Sequence, residues 1–419
     1  MEIDSLEVMM GNTGNCAGLT AANIKVVRLQ RPKDGAVSVK TFGLEQAEKV
    51  HAYHQSFPEY QETPLVSLDQ LAKDNGVAGI LVKDESYRFG LNAFKVLGGS
   101  YCIGRYISGQ LGIPMEKLTY DRLTDPGVKE GLGDVTFVTA TDGNHGRGIA
   151  WTAHRLKQKS VVYMPKGSAW ERLQNIQVLG SNASMTDLNY DDAVRKAYDD
   201  SRKYGWVMVQ DTAWEGYEDV PTWIMQGYTT MGYEIVCQMK ERHLADPTHI
   251  ILQAGVGAMA GAITAFFADV CGCGDDHPVV IIVEPDQADC IFRSAAANDG
   301  KVHLVSGEMN TMMAGLACGE PCTIAWEILH DYADFFVSMP DCVAVHGMRV
   351  LARPAGGDPK VVSGESGAAG LGFLMEVLRN PELKGVKEMM GFTKDSRILC
   401  VSTEGDTDQE NYRRVVFEN

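Results

Sequence analysis

Residues 249–269 read HIILQAGVGAMAGAITAFFAD: a short apolar run, a turn punctuated by glycine, then a long stretch of small and apolar residues. This is the pattern of a buried strand passing through a tight loop into a helix. The first N–H groups of such a helix have no intrahelical partner and point back toward the strand end, where the helix dipole favours negative charge. Gly255, Gly257 and Gly261 are expected to let that backbone approach an anion closely. A dinucleotide is the rival ligand, with Glu284 at the end of the next apolar run, VVIIVEP (279–285), as the ribose-binding acid. The spacing, however, is G-x-G-x-x-x-G, one residue off the dinucleotide fingerprint, so a single phosphate fits better.

Outward from this stretch the same alternation recurs. Short apolar runs at 79–83, 135–140, 160–165, 205–210, 249–254, 279–285 and 397–402 are separated by helical patterns such as GNHGRGIAWTAHRLKQ (143–158) and SAWERLQNIQVLG (168–180). Continuous apolar strands between helices predict an α/β fold with parallel sheets covered on both faces. Ligands of such folds bind at the carboxyl ends of the strands. The loops that follow these runs are KDESYRFGLNAFK, TDGNHG, QDTAWEGY, AGVGAMAG, EPDQADC and STEGDTD. Their concentration of Gly, Asp, Asn and Ser exceeds what loop closure alone requires.

At 419 residues the chain is too long for one core, and domains of roughly 100–200 residues predict two. A net charge of −17 argues against nucleic acid, whose binding needs clustered Lys and Arg. The amino-terminal residues lack the pattern of a secretory leader. The most apolar run, 254–268, falls short of the ~20 residues that cross a bilayer. No membrane association and a cytoplasmic setting are therefore expected, with the 10 cysteines as thiols. CGCG (271–274), with His277 nearby, is half of a metal site without a second half, so no metal is predicted. A regulatory disulfide involving Cys290 or Cys318 is left open.

NAFKVLGG (92–99) places Lys95 near the start of a helix, flanked by Ala93, Phe94, Val96 and Leu97. Apolar flanks predict burial, and burial lowers a lysine toward its reactive amine form. A buried lysine amine and a phosphate loop in one chain point to covalently held pyridoxal 5′-phosphate.

TPL (63–65), NAFKVLGG, TDGNHGRG (141–148), AGVGAMAG (254–261) and STEGDTD (402–408), in this order, resemble the tryptophan synthase β / threonine dehydratase class of pyridoxal-phosphate enzymes, fold type II. The resemblance runs from about residue 40 to the carboxyl terminus. It implies two domains, each a mostly parallel twisted sheet flanked by helices. Residues 1–90 and 215–419 would form the large cofactor-binding domain, and residues 91–214 a small, mobile domain that closes over substrate. Lys95 would carry the cofactor covalently, with Phe94 beside it. Asn144 would bond the ring 3′-oxygen, and the backbone of Gly255, Val256, Gly257, Ala258 and Met259 would hold the phosphate. Ser402 or Thr403 would face the ring nitrogen, and Glu365, in SGESGAAG (363–370), would lie on the cofactor side. Thr141, Asp142, Gly143, Asn144, His145 and Asp211 would bind a small amino-acid substrate, and a homodimer is usual for the class.

Within that class the versions ATDGNHGRG, QDTAWEGY and STEGDTD resemble the branch that removes ammonia from 2,3-diaminopropionate; dehydratases carry Ser or Thr where this chain has Asp142. A carboxylate beside the substrate's own carboxylate repels it unless a positive group lies between them. A β-ammonium supplies one, at ~4 kcal/mol for charges ~4 Å apart at an effective dielectric near 20. The implied reaction is α,β-elimination to pyruvate and two ammonia. Lys95 and Asp142 would serve as bases on opposite faces of the α-carbon, so that L- and D-isomers both react, and Asp211 is a second acid for the site. MNTMMAGLACGEP (309–321) is expected near the substrate mouth.

Overall fold

The computed structural model describes residues 23–30, 36–272, 277–354 and 356–418. Its strands are β1 (Lys25–Arg28), β2 (Leu65–Ser67), β3 (Gly79–Asp84), β4 (Thr136–Ala140), β5 (Lys159–Met164), β6 (Asn182–Met185), β7 (Val207–Met208), β8 (His249–Gln253), β9 (Val279–Pro285), β10 (Phe335–Met339) and β11 (Arg397–Ser402). They form a seven-stranded sheet in the order β1-β10-β9-β8-β11-β3-β2 and a four-stranded sheet in the order β6-β5-β4-β7. The four-stranded sheet is wholly parallel; the larger one is parallel apart from its edge strands β1 and β2.

The apolar runs behave as doubly covered strands must. On β8, Ile250 and Leu252 enter the core on one side of the large sheet and Ile251 enters the core on the other. β9 and β11 divide the same way, with Val280, Ile282, Leu399 and Val401 against Ile281, Val283, Ile398 and Cys400. Every residue of β8 is buried, which leaves no solvent-facing position to fill with a polar residue.

The run expected over 205–210 shortens to Val207–Met208, because the Gln210 side chain replaces the ladder. Gln210 Oε1 accepts from Ala140 N at 3.0 Å, and Gln210 Nε2 donates to Ala140 O at 3.1 Å. Four strands carried no clear sequence signal. β1, β2 and β6 are short and partly exposed, and β10 follows the helix Thr323–Tyr332 after only Ala333 and Asp334.

Glu284 is not a ribose acid. Its two oxygens accept from Ile291 N at 2.9 Å and Phe292 N at 2.6 Å, capping the helix Cys290–Ala297, and burial pushes its carboxyl well above the ordinary range. Cys273 lies outside the described residues, and no group of metal-ligating side chains occurs among the described ones. Cys290 and Cys318 are free, buried thiols. No described helix is long and apolar enough to cross a membrane.

Two features fix the approach to Lys95. Between β3 and that residue, the Arg88 guanidinium binds Glu234 at 2.6 Å and Glu85 at 2.8 Å, and Lys83 binds Glu234 at 2.6 Å, with all four side chains fully buried. After it, the helix Val96–Leu111 crosses the helix Asp219–Glu241 backbone on backbone. A Cβ on Gly227 would meet Leu97 O and come within 2.7 Å of Gly98 Cα.

Candidate active site

The carboxyl ends of the two sheets meet around one cavity. β4 supplies Thr141, Asp142, Asn144 and His145; β7 supplies Asp211; β8 supplies Gln253 to Ala260; β11 supplies Thr403 and Glu404; and β3 leads to Phe94 and Lys95. The segment 309–321, expected near the substrate mouth, contributes Ala314, Gly315, Leu316 and Cys318 to the lining.

At the β8 loop, Gly257 sits at φ +92°, where an L side chain is strained, and opens the helix Ala258–Cys271 with its N-terminus on the cavity. Gly255 packs against Gly315 O and Cys318 Sγ, at 3.1 and 3.2 Å from a built Cβ. Gly261 has a different task from the one expected. It lies off the cavity, its N–H donates to Gly257 O at 2.7 Å, and a Cβ would stand 3.0 Å from Ala325 Cα. It is a helix-packing glycine, whereas Gly255 to Met259 line the cavity.

Lys95 pairs with Asp211. Burial by itself would lower the lysine, but the Asp211 carboxylate outweighs it and holds the ammonium above its ordinary value. The expectation that burial alone tunes this amine is therefore corrected. Asp211 responds in kind: burial would raise it, yet Lys95 and then His145 hold it well below the usual carboxylate range. Tyr190 donates to Asp211 Oδ1 at 3.4 Å. His145 Nε2 donates to Val209 O at 2.8 Å, so Nδ1 carries the lone pair; it lies 4.0 Å from Asp211 Oδ2, and burial lowers the imidazole's pKa.

Asp142 is not a helix cap. Gly143 holds the cap position of Asn144–Arg155, and Thr141 Oγ1 accepts from Gly143 N at 2.9 Å. Asp142 Oδ2 accepts instead from Arg172 Nη1 at 3.0 Å, while Arg172 Nη2 donates to Glu365 Oε1 at 2.8 Å. The positive charge beside Asp142 thus comes from the protein, which revises the expectation that a substrate ammonium must supply it. Asp211 likewise has its positive partner within the protein, Lys95.

Glu365 is buried against Arg172 and does not line the cavity. Ser402 Oγ donates to Ser363 Oγ at 2.7 Å and faces away, whereas Thr403 lines the cavity and its Oγ1 accepts from Gln253 Nε2 at 3.0 Å. Asn144 donates to Glu404 Oε2 at 2.5 Å. Sequence reasoning missed Arg172, Tyr190, Gln253 and Glu404. Glu404 was within reach, as an acid in a quoted strand-end loop. Arg172 reads like any helical arginine until its 3 % side-chain exposure is seen.

Residues 56–390 match the model of the pyridoxal-phosphate-dependent enzymes, and the chain belongs to that family. Among its relatives is the diaminopropionate ammonia-lyase of Escherichia coli K12, 50% identical over 378 residues that span 90% of this chain and 92% of that one. The selenomethionine-incorporated holo form of diaminopropionate ammonia lyase from Escherichia coli superposes with a TM-score of 0.87 at 47% identity, over 94% of this chain and 97% of that chain. The same Escherichia coli enzyme in complex with D-serine gives a TM-score of 0.87 at 47% identity, over 94% and 98%.

The cavity fits the family's cofactor. The loop Gly255 to Met259 lines it at the start of the helix Ala258–Cys271, where unpaired N–H groups suit a phosphate. Two buried polar atoms on its wall, Gln253 Oε1 and His145 Nδ1, have no protein partner among the described residues.

Proposed function

We infer that this chain catalyses the pyridoxal-phosphate-dependent α,β-elimination of 2,3-diaminopropionate, which with one water yields pyruvate and two ammonia. The observation that carries the reading is the pair of carboxylates, Asp142 and Asp211, sharing one cavity with Lys95. A site for a hydroxy amino acid has no use for the second acid; a substrate with a second ammonium does.

Lys95 would hold the cofactor, Gly255 to Met259 would receive its phosphate, Asn144 its 3′-oxygen, and Thr403, rather than Ser402, would meet the ring nitrogen. When bound, the cofactor draws electrons from the α-carbon and so makes the α-proton removable. Thr141, Gly143 and His145 orient the substrate carboxylate at the start of the helix Asn144–Arg155. Asp211, kept ionised, attracts the β-ammonium. Lys95 enters from the large sheet and takes the α-proton of the L-isomer. Asp142, at the end of the four-stranded sheet, takes that of the D-isomer. Of residues 91–214, expected as the closing unit, the four-stranded sheet and its helices would do the moving and exclude water from these transfers, since the helix Val96–Leu111 is packed against the helix Asp219–Glu241. A cytoplasmic homodimer is the setting this reading assigns.

The reading is tested by product stoichiometry: two ammonia per pyruvate are expected, and one, or faster turnover of serine or threonine, overturns it. Asp142→Asn should abolish turnover of the D-isomer and leave appreciable activity on the L-isomer. Equal losses would make Asp142 a binding group.

A further inference from the structure

Arg172 carries an inference beyond this reaction. It comes from the helix Trp170–Gln177, is nearly inaccessible, and joins two carboxylates of different origin. Asp142 belongs to the loop after β4, whereas Glu365 belongs to the segment that leads into the helix Ala369–Arg379 beside the large sheet. Glu365 is fixed where it stands, 3 % exposed in its side chain, while Asp142 keeps 17 % exposure at the cavity wall. The loop is shaped around the arginine stem: Gly143 lies at φ +153°, and a Cβ there would stand 3.0 Å from Arg172 Cδ and 3.2 Å from Arg172 Cβ. Arg172 Nε is buried without a partner among the described residues, so the side chain is spent on its two outer nitrogens.

We propose that Arg172 is a positioning residue for Asp142: anchored by Glu365, it takes Oδ2 and leaves Oδ1 as the oxygen presented to the substrate. The inference rests on the reading of Asp142 as the D-isomer base. A guanidinium gripping two carboxylates at once sets direction as well as charge, which a lysine in its place cannot match. A base displaced by about 1 Å loses roughly 10²-fold in rate. That loss falls on the one isomer whose proton Asp142 removes.

The test uses the cofactor-loaded enzyme and both isomers of 2,3-diaminopropionate, measuring kcat and KM separately. Arg172→Gln is expected to lower the D-to-L ratio of kcat by about 10²-fold, through kcat rather than KM. Arg172→Lys should restore part of that ratio. In an Asp142→Asn background the further change in ratio should vanish, as it must when two residues act through one contact. Glu365→Gln, which loosens the anchor while keeping the arginine, should shift the ratio in the same direction by less; it decides the matter if Arg172→Gln does not fold. A ratio unmoved by Arg172→Gln and Glu365→Gln while Asp142→Asn remains isomer-selective overturns the positioning role and leaves the base reading standing. Asp142→Asn without isomer selectivity, or native enzyme inert toward the D-isomer, overturns the base reading itself.

Discussion

Lys95 and Asp211 are individually improbable as buried charges and become reasonable only as a pair. Their mutual hold has a direct consequence. Asp211→Asn removes the charge that keeps the Lys95 ammonium above its ordinary value, so burial then governs and the lysine's pKa falls. The variant should bind cofactor covalently at lower pH than native enzyme does, followed by cofactor absorbance across a pH series, and should lose roughly 10²–10⁴-fold in kcat. Lys95→Ala should yield no cofactor-labelled peptide after borohydride reduction, whereas the native protein yields one containing residue 95. Lys95, Asp142 and Asn144 were legible in the sequence because each stands in a strand-end loop whose composition is odd for a loop. Arg172 and Gln253 were not legible. Nothing in a helical arginine or a strand glutamine signals where its side chain ends, and that direction is set by packing between segments far apart in the chain.

Among the elements, β8 and its loop were the most readable, since a strand buried on both faces and a helix start that opens on a cavity both constrain residue type. Gly257→Ala combines a positive φ with a Cβ 3.2 Å from Ile291 Cδ1. It should cost about 1–2 kcal/mol in stability and weaken cofactor affinity, read by titrating the apo-protein with pyridoxal phosphate. Gly261 looked the same in sequence but answers to helix packing; glycine spacing alone cannot tell close approach to a ligand from close approach to a neighbour. The short edge strands β1 and β2 were missed for a related reason: with three or four residues and one exposed face, they carry too little pattern to stand out from loops.

The whole molecule joins two sheets at their carboxyl ends, and its stability draws on groups well away from the reaction. The network of Arg88, Lys83, Glu85 and Glu234 is sealed, and Glu234→Gln should leave the buried Lys83 without its carboxylate and Arg88 held by Glu85 alone, lowering stability by about 3–5 kcal/mol in denaturant unfolding. His54 is buried between Thr230 and the Leu97 carbonyl, and burial pushes its pKa from 6.5 down to about 3. Between those values the unfolded chain binds a proton that the native fold refuses, so stability falls as pH drops, by about 1.4 kcal/mol per unit for this group. His54→Gln should flatten the dependence of unfolding free energy on pH between 4 and 6 by about one proton. The crossing at Gly98 and Gly227, finally, treats Lys95 as a fulcrum. With its backbone stopped against a second helix, the lysine can alter its reach only by turning its own side-chain torsions. Libraries seeking new substrates should hold positions 98 and 227 constant and vary Ala314 and Leu316 on the cavity wall, away from the pivot.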